Sequence, residues 1–462
     1  MNVPRSHFRV VIIGGGFSGT ALAIQLLRQM IGDLSIAVIN RAGLPGRGVA
    51  YGTKCEEHLL NVNAGNMSVI PDEHAHFLHW LRSKVSKAVR PEDFVVRQLY
   101  GEYMEDTLSH ALMRRPSVIF SWFHEDAISI SLEGNKPSVT LSGGFALRSE
   151  VVILATGNSP PSDPPEVRAI KRRYYSPNAW AHDALDGIPN SGSVLLLGSG
   201  LTAVDQILAL RTRKFCGRVV VLSRRGLLPS AHSAPALWPS DWSDMVPNTV
   251  CAMLKAVREQ IKLASGSGVD FQAVIDSLRS ASPNIWRRWP IKERDRFLRH
   301  LRVHWDASRH RIPTKTHQTL KGCIADGSLC LIAGRLLNAV ERNHQLEAVI
   351  RDRGTHRIQV LKIDRIVNCT GSTGPQFVYD KLTMDLVESG LARIDPLRIG
   401  VDTGYDGALL SRCGEPNHSI FTMGQLRKAC SWETTAVREI RQQAAQLACL
   451  VSNRLNGEKQ LS

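Results

Sequence analysis

The sequence predicts an α/β fold built twice over, and three observations carry that expectation. A β-branched run, Phe8 to Ile13, enters Gly14-Gly15-Gly16-Phe17-Ser18-Gly19 and then an apolar stretch of helical period. A second run, Ser35 to Ile39, follows and ends at Asn40. The same grammar returns with Val194 to Leu197, then Gly198-Ser199-Gly200-Leu201-Thr202-Ala203, a helix opening at Val204, and the run Arg218 to Ser223. Each copy then passes through short alternating segments and closes on a Thr-Gly pair, Thr156-Gly157 in the first and Thr370-Gly371 in the second.

Each element has a local reason. Glycine at the first position of G-x-G-x-x-G lets the chain turn tightly. The second glycine lets a pyrophosphate approach the backbone, and the third lets strand and helix pack closely. The helix that follows offers unpaired N–H groups and the positive end of its dipole to that pyrophosphate. Two such turns imply two Rossmann-like dinucleotide-binding domains. The alternating segments before each Thr-Gly pair read as a β-meander in each domain. Between residues 232 and 325 the pattern is helical instead, its clearest helix running from Glu293 to Trp305, so a helical insertion is expected in the second domain. The domains are expected at 1–185, at 186–364, and at 365–462 as the second part of the first domain.

The two turns differ where the ribose binds. The second strand of the first copy ends in Asn40, which can still accept a hydrogen bond through its carbonyl. The second copy ends in Ser223-Arg224-Arg225, without the acid that selects a free 2′-hydroxyl; serine and two arginines suit a 2′-phosphate, and so NADPH over NADH.

Composition narrows the function. The formal charge is +15, yet the basic residues are scattered and accompany no nucleic-acid motif; anionic small molecules as partners, or simply a solvated surface, account for the excess. No run of about 18 apolar residues is present, so no helix is expected to span a membrane. Nothing at the amino terminus reads as an export signal, and nine irregularly spaced cysteines suggest a reducing cytoplasm. No C-x-x-C pair is present, which sets a disulfide reductase aside. No metal site is expected, because His300, His304 and His310 lack partner carboxylates or cysteines at ligand spacing.

Five blocks carry a family resemblance: Gly46 to Thr53; His58 to Asn63 with Met67-Ser68; Phe77 to Leu81; Phe297 to His300 with Trp305-Asp306 and Arg309 to Arg311; and Trp432 to Arg441. In order and spacing they resemble the bacterial FAD-NAD(P)-binding family of flavoproteins with two dinucleotide-binding domains. The likeness extends to aspartate N-monooxygenases that form nitrosuccinate and, more distantly, to ornithine and lysine N-hydroxylases. The resemblance implies FAD in the first domain and NAD(P)H in the second. It implies a monooxygenase that passes oxygen from a C4a-hydroperoxyflavin to a nitrogen of an amino acid or small amine, with molecular oxygen as co-substrate.

The residues expected at FAD are Gly14, Gly16, Phe17, Ser18, Gly19, Asn40, Arg47, Tyr51, Asn61, Asn63, Met67, Thr156, Gly157 and Gly424, the last closing the flavin site beside the final helix. Those expected at NADPH are Gly198, Gly200, Leu201, Thr202, Ser223, Arg224 and Arg225. Arg302 and Arg309 are candidates for binding an acidic amino-acid substrate, since guanidinium groups grip carboxylates bidentately; contact with NADPH phosphates is their plainer role. Trp286, Trp289 and Trp305 read as helix core, with a dry lid over the flavin as the alternative. No catalytic side chain stands out. An NAD(P)H oxidase or dehydrogenase without oxygen insertion and a flavin-based redox sensor are the competing functions, and self-association into a homo-oligomer is left open.

Overall fold

Short apolar runs bounded by turns leave no face for water, and the fold buries them on both sides as parallel strands. The computed structural model describes residues 5–457 except 235, 240, 241, 243–246, 343, 344 and 372–379. In it β1 (His7–Ile13) lies between β2 (Ser35–Ile39) and β6 (Ala146–Leu154), with β3 (Ile119–Phe123) beyond β2, all parallel. Before β6, β4 (Ala127–Glu133) and β5 (Lys136–Leu141) run antiparallel and join it, giving the first expected meander.

The second sheet repeats the plan. Its strands are β7 (Tyr175–Ser176), β8 (Ser193–Leu197), β9 (Arg218–Ser223), β10 (Leu329–Arg342), β11 (Gln345–Asp352), β12 (Ile358–Ile363) and β13 (Arg365–Asn368). They are ordered β12-β11-β10-β9-β8-β13-β7. The long β10 serves two neighbours: Leu329 to Ala333 pair parallel with β9, and from Gly334 onward it pairs antiparallel with β11 to make the second meander. The chain then returns to the first sheet through β14 (Ala408–Leu410) and β15 (Pro416–Thr422), where β15 pairs parallel with β6.

The chain divides into one unit of Met1–Glu56, Val62–Ser159 and Tyr379–Ser462, and another of Glu57–Asn61 and Pro160–Val378. Sequence grammar places the cuts at 185/186 and 364/365. Pairing explains the difference. The two-residue β7, too short to read as a strand, pairs with β13, and β13 pairs with β8, so both belong to the second sheet.

The helical insertion is present, with a correction. The helix expected from Glu293 to Trp305 is two helices, Ile291–His300 and Arg302–Arg309, separated at Leu301. The first packs on Val250–Gly266 and the second on Phe271–Ser277, so one amphipathic run is divided between two partners. Trp286 and Trp289 are buried against Phe297 as core of this insertion. The final helix is Val437–Gly457. No helix among the described residues is long and apolar enough to cross a membrane.

Candidate cofactor sites

The two glycine turns share one backbone geometry at their first glycine. In the first, Gly14 takes φ +106° and donates its N–H to the Ile39 carbonyl at 2.8 Å. In the second, Gly198 takes φ +105° and donates to the Leu222 carbonyl, also at 2.8 Å. A Cβ on Gly14 would lie 2.3 Å from the Ala155 oxygen, and one on Gly198 would lie 2.5 Å from the Cys369 oxygen, so each turn is wedged against the residue before its Thr-Gly pair. The Thr-Gly glycines agree as well, with φ +73° at Gly157 and +76° at Gly371. The turns differ at the third position. A Cβ on Gly19 would sit 1.9 Å from the Gly14 oxygen, whereas the second turn accommodates the buried Ala203 there.

Both turns leave a cradle open to an anion. Gly16 caps the helix Phe17–Gln29 and Gly200 caps Leu201–Thr212, both extended, and neither helix has a side-chain cap or an acidic residue in its first turn. The first-turn N–H groups therefore keep the donors that a pyrophosphate needs. A Cβ on Gly16 would approach nothing nearer than the Gly48 Cα at 3.5 Å, and one on Gly200 would meet nothing within 4 Å. That space is available to a ligand, so the residues present fit a dinucleotide at both turns.

Around the first turn the side chains fall into place in part. Asn40 Oδ1 accepts the Gly15 N–H at 3.1 Å and its Nδ2 donates to the Ala42 carbonyl at 2.6 Å, so this residue braces the turn. The Gly46 N–H donates to the Gly15 carbonyl at 3.0 Å, which brings Gly48, with φ +49°, against Gly16. Arg47 is paired with Glu105. Tyr51 lies with its ring 5.8 Å from that of Phe17, and burial pushes its phenol up to about 12. Gly424, with φ +72°, comes close to Ser18: a Cβ there would lie 3.3 Å from Ser18 Oγ. The Gly424 N–H donates to Gln443 Oε1 at 2.9 Å, and Gln443 Nε2 donates to Thr434 Oγ1 at 2.6 Å. Thr434 is thus held in a loop clamp, which is why the last helix begins after it.

Met67 is buried nearby in the chain, and Asn63 accepts from Asn66 Nδ2 at 2.7 Å. Asn61 falls in the other unit, where its carbonyl lies 2.9 Å from His232 Nε2.

At the second turn Ser223 Oγ accepts from Ser199 Oγ at 2.9 Å and from the Gly226 N–H at 3.0 Å. Beyond it lies a cluster of like charge that the sequence shows only in part. Arg224 is held below its usual value first by burial, then by repulsion from Arg302, Arg335 and Arg225. Arg353 donates to the Arg224 carbonyl at 3.1 Å, and His304, lowered chiefly by burial, also feels Arg225 and Arg353. Arg302 has Asp306 3.6 Å away, which leaves the group strongly positive. Mutual repulsion among guanidinium groups is relieved by a bound anion, so the cluster favours a phosphate.

Residues 11–159 match the family model described as FAD-NAD(P)-binding. That FAD-NAD(P)-binding segment contains the first glycine turn and its Thr-Gly pair. No curated protein matches the chain. Among solved structures the chain is similar to the ornithine N-hydroxylase of Kutzneria sp. 744, at 13% identity and TM-score 0.67 over 97% of this chain and all of that one (100%). It is similar to the L-lysine 6-monooxygenase of Pseudomonas syringae at 14% identity and TM-score 0.63, covering 97% of this chain and 99% of that one. It is also similar to the thioredoxin reductase of Lactococcus lactis, at 14% and TM-score 0.54 over 97% and 99% of the two chains. The fold is therefore that of flavin-dependent NAD(P)H oxidoreductases, and it is shared by more than one chemistry.

The two arginines expected at the substrate have different neighbours, although both lie on the helix Arg302–Arg309. Arg302 belongs to the cluster around Arg224, while Arg309 stands near His232. Burial holds His232 below the usual imidazole value against its bond to the Asn61 carbonyl, and Arg311 and Arg309 act in the same downward direction as burial. Arg311 itself is fixed by Asp276, at 2.8 and 3.1 Å, and is structural. Among the described residues no cluster of His, Cys, Asp or Glu could hold a metal.

Proposed function

We propose that this chain is an FAD-dependent, NADPH-consuming monooxygenase that hydroxylates a nitrogen of an amino acid or small amine. The observation that carries the cofactor half is the repetition of one anion-binding turn in two units, with a cluster of arginines beside the second. The first turn holds FAD, through the helix Phe17–Gln29, the brace at Asn40, and Gly424 beside Ser18. The second holds NADPH, with Arg224, Arg225, Arg302, Arg335 and Arg353 around the 2′-phosphate.

Bound flavin would supply the hydride acceptor and the means of activating oxygen. The chain's own residues do the rest: they bind the two pyrophosphates, fix their orientation and neutralise the 2′-phosphate. The absence of a dithiol supports oxygen over a disulfide as the electron acceptor. None of the nine cysteines is in a disulfide, and burial pushes the Cys369 thiol far up, which leaves it unreactive. Arg309, apart from the phosphate cluster, is the better candidate to hold a substrate carboxylate.

Two results test these assignments. Arg224→Ala should raise the KM for NADPH roughly ten- to hundredfold while leaving NADH use nearly unchanged, the range expected for one charge-assisted contact. Equal losses for both nucleotides would remove the 2′-phosphate reading. Arg309→Ala should raise the substrate KM without loss of FAD, and Arg302→Ala should raise the KM for NADPH instead; steady-state kinetics separate them. The same assay decides against a plain oxidase, which would convert NADPH to peroxide whatever amine is supplied.

A further inference from the structure

Beside the first glycine turn a run of touching aromatic rings starts from two residues expected at FAD, Phe17 and Tyr51, and continues beyond them. Phe17, in the first turn of the cradle helix, lies 5.8 Å from the rings of both Tyr51 and Tyr100. Tyr51 and Tyr100 are 4.6 Å apart, and Tyr100 is 5.4 Å from Tyr103. Tyr103 is 5.8 Å from Trp80, with Phe77 packed against all three of Tyr100, Tyr103 and Trp80. Tyr100 and Tyr103 are fully buried, while Trp80 is half-buried. The rings therefore lead from the cofactor turn to the surface of the same unit.

The polar groups along this run differ in a telling way. The Tyr100 hydroxyl is buried with no hydrogen-bond partner, so loss of an electron there would leave its proton nowhere to go. The Tyr103 hydroxyl accepts the Val69 N–H at 3.1 Å and lies 2.8 Å from His76 Nδ1. Burial raises the Tyr103 phenol and lowers His76, so the phenol is the donor and the imidazole the acceptor. That is proton-transfer geometry. His76 also lines an open cavity of about 650 Å³ with His110 and Arg114, which gives the proton a way out. At the far end the Trp80 indole N–H donates to Asp106 Oδ2 at 2.9 Å, where a carboxylate eases the loss of an electron.

We propose that Tyr51, Tyr100, Tyr103 and Trp80 form a route by which a single oxidising equivalent leaves the cofactor turn for the surface, with His76 taking the Tyr103 proton. The proposal rests on FAD occupying the first turn. An oxygen-derived radical of the hydroxyl class formed there takes one electron and one solvent proton, and ends as water. The electron comes from Tyr103 through the rings of Tyr100 and Tyr51, and the Tyr103 proton moves to His76 Nδ1. Trp80 then returns an electron to Tyr103, which regains its proton from His76. The hole on Trp80 is filled by an external one-electron donor such as a thiol or ascorbate. The benefit is protection: damage is moved from the cofactor site to a replaceable surface position.

The test uses the full chain loaded with FAD, turning over NADPH in air without an amine and with catalase present to remove diffusing peroxide. Absorption first establishes that FAD is bound; a colourless protein would overturn the cofactor reading and, with it, the route that rests on it, whereas a failure in the yellow protein overturns the route alone. In the yellow protein, with no ascorbate or thiol added, peptide mass spectrometry is expected to find Trp80 oxygenated at least several-fold more than Trp238, which is similarly half-buried in the other unit. Tyr103→Phe should cut Trp80 oxygenation about fivefold and raise it at Tyr51. His76→Phe should do the same, and it serves should Tyr103→Phe fail to fold. Both losses should appear with unchanged FAD content. Trp80 oxygenation no greater than that of Trp238, or equal in wild type and both variants, overturns the route.

Discussion

Gly200→Ala is expected to give a protein that keeps its FAD but is bleached by NADPH at least roughly a hundredfold more slowly at a fixed, sub-saturating NADPH concentration. The new methyl group meets no protein atom within 4 Å, and the residue's φ of −80° suits any L-amino acid, so the fold should not register the change. What the methyl occupies is the approach of a pyrophosphate to the helix Leu201–Thr212. Stopped-flow absorbance measures the rate and thermal melting checks the fold. A bleaching rate within a few-fold of wild type would mean that the second turn does not hold the nucleotide. Gly198→Ala makes an instructive contrast: at φ +105° and 2.5 Å from the Cys369 oxygen it should lower the melting temperature as well.

The second large effect belongs to Gly16→Ala. Its φ is −71°, and its Cβ would come no closer than 3.5 Å to Gly48, which is ordinary contact. The protein should therefore fold and melt normally, yet purify nearly colourless, with FAD affinity reduced roughly a hundredfold or more. Flavin released by heat denaturation, quantified against chain concentration, gives the answer. Normal FAD content in Gly16→Ala would move the flavin away from the first turn.

Much of this architecture is legible because its causes are local. A glycine at φ above +100°, wedged 2.3 or 2.5 Å from a neighbouring backbone oxygen, cannot be replaced, and the strand before it and helix after it carry their own periodicity. What escapes a reading of the sequence depends on distant partners. Leu301 breaks a helix because two different helices receive its halves, and β7 exists only because β13 lies beside it. Gln443 reaches Gly424 from the last helix, a contact that depends on where that helix packs and that no local pattern shows. Arg335 carries a usable signal: Ala333 pairs with Ser223, so a correct pairing of β10 with β9 puts Arg335 just past the end of β9, near Arg224. Arg302 reads from its residue type as a contact either to NADPH phosphates or to an acidic substrate, and nothing local in the sequence shows that it lies beside Arg224.

The most direct test of the central claim is an anaerobic titration of the purified chain with NADPH, followed in the visible range. The account predicts a yellow protein with about one FAD per chain that bleaches on addition of NADPH and recovers its colour when air is admitted. A colourless protein that FAD cannot reconstitute, or a yellow one that NADPH leaves unchanged, would contradict it.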